Sequence, residues 1–206
     1  MKLILASQSP RRRELLDQAG FEFSTFPVKV SENIDENLNP EEQVRTLALR
    51  KARACIDQNN QLKSHGFLVL GADTMVFLGQ QSLGKPLDFS QAVDFLSRLS
   101  GQTHRVMTGV ALVPTDHGPV WVGHCVTEVT FRQLSAQEIH EYVQTGEPMD
   151  KAGAYGIQGL GQKFVSSKSG SWSNVVGLPI ESLELALKER GWNVDRKQSA
   201  NSSSKN

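Results

Sequence analysis

The sequence predicts an α/β fold built around a mixed β-sheet. Predicted strands and helices alternate along most of the chain, which is typical of strands joined by helical crossovers. Two long predicted strands are instead separated only by a short turn, and such a hairpin is antiparallel. The length of 206 residues is enough for one large domain or two lobes that share a core. We predict a single domain over residues 1–194.

The clearest local signals lie in the first part of the chain. The apolar run at residues 3–6, preceded by Lys2, predicts a short buried strand over residues 2–6. Ser9 followed by proline predicts the N-cap and first residue of a helix, and Gly20 predicts its end. The cap, proline and acids of residues 39–42 begin a long helix that extends to about Asn59.

The later elements follow from apolar periodicity and from the residues at their ends. Further strands are predicted over residues 67–78, 105–113 and 120–131, and residues 22–30 are predicted to be extended. Further helices are predicted over residues 90–99, 135–145 and 179–190. Residues 150–177 are rich in glycine and serine, which predicts loops and short strands. Residues 195–206 are polar and serine-rich, so we predict a disordered tail there.

The composition narrows the class of protein. Lys and Arg number 22, as do Asp and Glu, and a net charge of zero argues against nucleic-acid binding by bulk electrostatics. A net charge of zero is still compatible with a local basic pocket for a small anion. Cys55 and Cys125 lack the spacing of a zinc or redox motif, and the apolar run at residues 3–6 is too short for a signal peptide or membrane span. We expect a reduced, cytoplasmic protein that does not bind membranes.

Three arginines stand in the first turn of the first predicted helix, at Arg11, Arg12 and Arg13. A helix N-terminus carries partial positive charge and free backbone N–H groups, so it normally favours acidic residues. A bound phosphate would satisfy the amides and the arginines together. The alternative is a solvated basic patch, and the set as a whole favours the anion site.

Two charged residues interrupt apolar patterns. At about 100° per residue, Lys51 falls almost in line with Val44 on the buried stripe of the long helix. It either snorkels to water, which spacing alone slightly favours, or projects into a cleft that holds an anion. Asp73 lies within the apolar strand over residues 67–78, where a carboxylate needs a partner. It is either a structural acid capped by amides or a catalytic or metal-binding acid.

Two further segments have unusual backbone chemistry. Lys85 stands between a glycine and a proline, which fix a turn around one cation. Glycines at positions 153, 156 and 159 allow a tight bend or the close approach of a ligand, although an ordinary glycine-rich loop is the alternative. Gln158, within that segment, carries a donor and an acceptor that suit the edge of a nucleobase. His104 and Tyr155 are more typical of packing or supporting roles than of catalysis.

The motifs together resemble the Maf family of nucleoside triphosphate pyrophosphatases. The resemblance covers about residues 3–193 and rests on seven blocks in family order, at residues 6–16, 51–54, 71–74, 84–86, 101–104, 150–159 and 176–179. It implies a two-lobed fold related to that of inosine triphosphate pyrophosphatases, with a central mixed sheet flanked by helices and a deep cleft. It also implies hydrolysis between the α and β phosphates, a divalent Mg²⁺ or Mn²⁺ ion, and a homodimer.

The resemblance also implies roles for individual residues. Asp73 matches the catalytic proton acceptor, and Glu32 matches an acidic residue that would share the metal with it. The usual Asp-Glu pair there reads Ser31-Glu32 in this chain. The residues implied to bind phosphate are Ser7, Arg12, Lys51 and Lys85.

Three positions indicate the substrate within the family. Members acting on dTTP and UTP carry the residues found here at Arg11, Thr74 and Gln158. A neutral amide can pair with the O4 and N3–H edge of uracil or thymine, whereas a carboxylate would suit a guanine-type edge. We therefore expect hydrolysis of dTTP and UTP, or of modified pyrimidine triphosphates. The alternatives are a 7-methyl-GTP pyrophosphatase and a non-enzymatic regulator of septum formation.

Overall fold

The computed structural model of the chain describes residues 1–35, 37–63 and 66–197. Within these ranges, seven strands form one sheet and six α-helices pack on it. The sheet contains both parallel and antiparallel pairs. The predicted α/β class with a central mixed sheet is therefore confirmed.

The elements have the following bounds. The strands are β1 (Lys2–Leu5), β2 (Phe23–Thr25), β3 (Phe67–Leu78), β4 (Gln81–Leu83), β5 (Thr103–Pro114), β6 (Trp121–Phe131) and β7 (Val165–Ser169). The helices are α1 (Pro10–Gln18), α2 (Pro40–Gln58), α3 (Phe89–Leu99), α4 (Ala136–Gln144), α5 (Trp172–Val176) and α6 (Ile180–Glu189). Short 3₁₀ helices lie at Asn60–Lys63, Glu147–Asp150, Ala152–Ala154 and Leu160–Phe164.

The helix ends follow the predicted capping chemistry. The Ser9 side chain accepts the backbone N–H of Arg12 at the start of α1. Asn39 and Glu42 form a reciprocal capping box at the start of α2, with their side chains 2.9 and 3.1 Å from each other's backbone nitrogens. These bonds satisfy amides that have no partner inside the helix.

The strand order is β2-β1-β3-β5-β6-β7, and β4 pairs with the far end of β3. β1 is parallel to β2 and β3, whereas every other pair is antiparallel. On one side, β3 pairs with β1 as far as Leu70 and with β4 from Val76. Residues 71–75 lie between those two pairings, so the middle of β3 is open on that side in the part of the chain that the structure describes. This opening positions the site.

The two faces of β3 pack against different layers. Val69 belongs to a core cluster with Ala48 and Ala52 of α2, whereas Leu70 belongs to the larger cluster formed with α1, α3, α4, α5 and α6. Successive side chains of a strand point to opposite faces. Asp73 therefore faces α2, and its neighbour Thr74 faces the other helices.

Two glycines bring α2 unusually close to the sheet. A Cβ atom added to Gly71 of β3 would lie 2.8 Å from the backbone nitrogen of Ala52, and one added to Gly109 of β5 would lie 2.8 Å from that of Arg45. Contacts this short do not occur in real proteins, so no side chain fits at either position. Gly109 pairs directly with Asp73. The close approach therefore places α2 beside the carboxylate.

Several short elements differ from the prediction. Only Phe23–Thr25 of the extended segment expected over residues 22–30 pairs with the sheet. β4 and the five-residue helix α5 were not predicted individually, because segments of three to five residues show no clear periodicity.

The predicted disordered tail also differs at its start. The amide of Asp195 donates to the carbonyl of Met1, Arg196 forms a bridge with Phe21, and the amide of Lys197 donates to the carbonyl of Gly20. These three residues are ordered by backbone pairing, which needs no apolar side chains. The rest of the predicted tail, residues 198–206, lies outside the described residues.

The cysteines and the helices bear on the expectations from composition. Cys55 and Cys125 are both free thiols. Among the described residues, no helix has the length and apolar character needed to cross a membrane.

Candidate active site

A cavity of about 750 Å³ opens beside the middle of β3. Its walls come from the β1–α1 connection, the loop after β2, α2, β3, the turn after β4 and the segment over residues 150–159. All of the predicted site residues line it, namely Ser7, Arg11, Arg12, Glu32, Lys51, Asp73, Thr74, Lys85 and Gln158. Residues far apart in sequence thus share one cavity.

Asp73, Lys51 and Glu32 form the centre of the cavity. Asp73 is buried, with 7% of its surface exposed, and its Oδ1 accepts a hydrogen bond from Lys51 Nζ. The same Nζ lies 3.2 Å from Glu32 Oε1. Lys51 therefore does not snorkel to solvent, because its ammonium group is held inside the cavity by two carboxylates.

The surroundings of Glu32 favour its charged form. Partial burial raises the pKa of Glu32, but the attraction and hydrogen bond of Lys51 lower it, with further contributions from Lys85 and Arg12. The net result is a pKa below the usual value. Glu32 is therefore an anion at neutral pH, although 61% of its side chain is exposed.

The chemistry of the two carboxylates fits a divalent ion. Both carboxylates contact the same ammonium nitrogen, Lys51 Nζ. Their oxygens are therefore close enough together to contact one cation. Within the described residues there is no group of three or more His, Cys, Asp or Glu side chains that would form a metal cage. Mg²⁺ is commonly bound by one or two carboxylates plus substrate phosphates, which matches this donor set.

Arg12 connects three parts of the site. Its Nε donates to the carbonyl of Gly177 at 2.8 Å, its Nη1 to Ser7 Oγ at 3.2 Å and its Nη2 to Thr74 Oγ1 at 3.1 Å. A guanidinium has five N–H groups, so two remain for a ligand in the cavity. Burial lowers the pKa of Arg12 and Asp73 opposes that effect, but a guanidinium stays charged at neutral pH. The sequence indicated Arg12 but not its anchor at Gly177.

The three arginines of α1 have different environments. Arg11 Nη1 donates to Asp150 Oδ2 at 3.1 Å, and Lys151 Nζ lies 2.5 Å from the other oxygen of that carboxylate. Arg13 is exposed and is absent from the cavity wall. The sequence predicted an anion site from all three arginines. The structure places Arg11 and Arg12 at the cavity, but not Arg13.

Lys151 is a cavity residue that the sequence did not single out. Its ammonium group also donates to the carbonyl of Glu147 at 2.7 Å, so it is tied to the segment that carries it. Partial burial opposes the charge of Asp150, but the hydrogen bonds of Lys151 and Arg11 hold the pKa of this carboxyl below its usual value. The only available signal was its place beside Asp150 within the motif over residues 150–159.

Lys85 and Gln158 lie on neighbouring loops and are both exposed at the cavity. The backbone amide of Gly153 donates to the carbonyl of Gly84 at 3.0 Å. This bond joins the two loops, so the side chains of Lys85 and Gln158 belong to the same wall of the cavity.

The cavity is strongly cationic although the chain is neutral. Three carboxylates line it, at Glu32, Asp73 and Asp150. Six cations line it, at Arg11, Arg12, Lys29, Lys51, Lys85 and Lys151. A cleft with an excess of one sign of charge attracts ligands of the opposite sign. The arrangement therefore suits a compact polyanion with a carboxylate close to it.

Comparison with known proteins identifies the family. Residues 2–190, nearly the whole described chain, match the family model described as Maf-like protein. The chain belongs to the Maf family.

Two bacterial Maf relatives are similar over most of their length. A protein of Bdellovibrio bacteriovorus named dTTP/UTP pyrophosphatase is 48% identical over 185 residues, which is 90% of this chain and 96% of that protein. A protein of Desulfitobacterium hafniense with the same name is 51% identical, over 90% of this chain and 83% of the relative.

One solved structure has a weaker similarity. The dITP/XTP pyrophosphatase of Mycobacterium abscessus gives a TM-score of 0.44 at 15% identity, covering 93% of this chain and 95% of that one. This similarity is too low to bear on activity.

His104 and Tyr155 support the wall of the Maf cavity from behind. His104 is 1% exposed, its Nε2 lies 2.8 Å from the Tyr155 hydroxyl, and its ring meets Phe131 edge-on. Tyr155 lines the cavity, whereas His104 does not. Burial lowers the pKa of His104 from its ordinary 6.5 to about 4. The histidine is therefore neutral at pH 7.

We expect the protein to lose stability in mild acid through His104. The unfolded chain binds this proton near pH 6.5 and the folded chain only near pH 4, so the free energy of unfolding falls as the pH drops between these values. The full loss is about 3 kcal/mol. Urea unfolding at a series of pH values measures it.

His104→Gln should flatten this pH dependence between pH 6.5 and 4. The matched control is His140→Gln, because His140 is exposed on α4. Equal slopes in the wild type and His104→Gln would contradict the assignment.

Proposed function

We propose that this Maf protein hydrolyses dTTP and UTP to the monophosphate and pyrophosphate. The observation that carries the proposal is the buried Asp73 carboxylate, held by Lys51 within a cavity lined by six cations. The relatives named dTTP/UTP pyrophosphatase support the choice of substrate.

The cations bind and neutralise the triphosphate. Lys51 and Lys85 both line the cavity that would hold it, and Arg12 has two N–H groups left over for it. Charge stabilisation of this kind is the largest contribution in most phosphoryl-transfer enzymes. It also fixes the α phosphate next to Asp73.

Asp73 acts as the general base. Its carboxylate takes a proton from a water molecule, whose oxygen attacks the α phosphorus in line with the bond to the β phosphate. The bond between the α phosphorus and the bridging oxygen breaks, and pyrophosphate leaves with the electron pair. Glu32 and Asp73 would hold Mg²⁺ or Mn²⁺ together with phosphate oxygens, and the ion would supply further charge stabilisation.

Gln158 faces the pyrimidine base, and Arg11 and Thr74, the other two residues that indicate this substrate, line the same cavity. The Gln158 amide donates and accepts, as the O4 and N3–H edge of uracil and thymine requires. Thr74 Oγ1 is bonded to Arg12 and lies 3.0 Å from Thr108 Oγ1. Thr74 therefore contributes by fixing Arg12, and Gln158 reads the base.

The proposal is tested with the eight standard nucleoside triphosphates and added inorganic pyrophosphatase. We expect rapid turnover of dTTP and UTP, with phosphate released only when pyrophosphatase is present. Absence of turnover on all eight would reject hydrolysis of dTTP and UTP and favour a binding protein. Extending the panel to 7-methyl-GTP and modified pyrimidine triphosphates decides between the remaining substrates.

A further inference from the structure

The loop that carries Gln158 is held by residues behind it. Residues 156–161 connect the cavity wall to the 3₁₀ helix at Leu160–Phe164, and Gln158 lies midway along them. Glu147 follows α4 and is absent from the cavity wall. Any effect of Glu147 on a bound nucleotide must therefore pass through other residues.

The Glu147 carboxylate accepts three hydrogen bonds. Its Oε1 accepts from the Tyr142 hydroxyl at 2.9 Å and from the backbone N–H of Gly161 at 3.2 Å. Its Oε2 accepts from the backbone N–H of Leu160 at 2.9 Å. One anionic side chain thus fixes the far end of the loop, through bonds that are stronger than neutral ones.

Tyr142 fixes the near end of the same loop. Its hydroxyl donates to Glu147 and accepts the backbone N–H of Gly156 at 3.1 Å. The residue is fully buried on α4, and its ring packs edge-on against Phe164 at 4.9 Å. Gln158 therefore lies between two anchored points, Gly156 and Leu160.

The glycines of the segment make this arrangement possible. A Cβ atom at Gly159 would lie 2.5 Å from Glu147 Oε1, and one at Gly161 would lie 2.8 Å from the Tyr142 hydroxyl. A side chain at Gly159 would displace the Glu147 carboxylate, and one at Gly161 would also meet the backbone oxygen of Gly156 at 2.9 Å. The sequence had offered a tight bend or the approach of a ligand as reasons for glycine at 159, and Glu147 supplies a third.

We propose that Glu147, acting with Tyr142, is a positioning residue that sets nucleobase selectivity by holding the loop of Gln158. The inference rests on the proposed function. An amide distinguishes uracil from cytosine only if its oxygen and nitrogen keep a fixed orientation, since rotation exchanges donor and acceptor. A loosened loop lets the whole of Gln158 shift and turn relative to the base, so the amide can be presented to cytosine as well.

The test is the variant Glu147→Gln, assayed with UTP and CTP. An amide nitrogen cannot accept the bonds that the lost oxygen accepted, so part of the loop is released. We expect KM for UTP to rise about tenfold while kcat changes less than about threefold. The ratio of kcat/KM for UTP over CTP should fall about tenfold or more.

Tyr142→Phe provides a second variant that acts on the same loop. It removes the acceptor of Gly156 and the donor to Glu147. We expect the same loss of selectivity, and the double variant should lose at most about twofold more than the worse single variant, because the two residues act as one unit.

Glu138→Gln is the matched control. Glu138 lies on the same helix, α4, and also accepts several bonds, from Ser135 and Arg132. It is absent from the cavity wall. We expect it to lower stability without changing the UTP/CTP ratio, which separates a general loss of stability from an effect on the loop.

The outcomes distinguish this inference from the proposed function. An unchanged UTP/CTP ratio in folded Glu147→Gln and Tyr142→Phe would overturn it. Amide hydrogen exchange tests the same contacts without turnover, since whichever of Leu160 and Gly161 loses its acceptor oxygen in Glu147→Gln should exchange about tenfold faster or more than in the wild type and in Glu138→Gln. If the wild type hydrolyses no nucleotide, the proposed function fails, and unchanged exchange at these amides would overturn the role of Glu147 independently.

Discussion

Asp73→Asn is expected to lower kcat for UTP and dTTP about 10²–10⁴-fold, the range typical of a lost general base. Asparagine has nearly the same shape but cannot take the proton from water. The fold should survive, because Lys51 keeps its second partner, Glu32, at 3.2 Å. Steady-state kinetics measure the loss, and circular dichroism with thermal unfolding checks the fold.

The matched control for this variant is Asp94→Asn. Asp94 is on α3, away from the cavity wall, and 57% of its side chain is exposed. The kcat of the Asp94→Asn variant should equal that of the wild type. A folded Asp73→Asn protein with near-normal kcat would reject the catalytic role of Asp73.

Gly109→Ala is expected to lower the free energy of unfolding by about 3 kcal/mol or more. The new Cβ would meet backbone atoms of Val44 and Arg45, which cannot rotate away as a side chain does. Helix α2 must move outward instead and take Lys51 from Asp73, so activity should fall as well. Urea unfolding and UTP turnover measure the two effects.

Gly123→Ala in β6 is the control for this substitution. Its Cβ would meet the ring of the partly exposed Trp121 and no backbone atom. We expect a change within about 1 kcal/mol. Similar losses at positions 109 and 123 would show that the close approach of α2 has no special role.

The sequence predicted the long elements well because their periodicity is strong. The bounds of β3, residues 67–78, agree with the prediction, and the capping residues located the starts of α1 and α2. β7 and α5 lie in the glycine- and serine-rich region and have five residues each, too few to show a period. Their positions depend on pairing with β6 and packing on β5, which are tertiary contacts.

The fate of Lys51 could not be settled from helical spacing. A lysine on an apolar stripe more often reaches solvent, and that outcome was slightly favoured. The deciding features are Gly71 and Gly109, which lie on two different strands and let α2 approach the sheet. Their joint effect appears only when β3 and β5 are paired.

Glu147 was missed for a related reason. An acid just after an exposed helix end looks like an ordinary solvated residue, and its partners at Tyr142, Leu160 and Gly161 are 5 to 14 positions away. The available signal was the unusual density of glycines after position 152. The glycines were explained by a tight bend or by the approach of a ligand. In the structure, several of them instead pack against side chains of the protein.

The most direct test of the account follows the oxygen of the attacking water. UTP hydrolysed by the wild-type protein in water enriched in heavy oxygen should give labelled UMP and unlabelled pyrophosphate, because the water beside Asp73 attacks the α phosphorus. Mass spectrometry of the two products locates the label. Label in the pyrophosphate, or release of orthophosphate as the first product, would contradict a cavity that places the α phosphate next to Asp73.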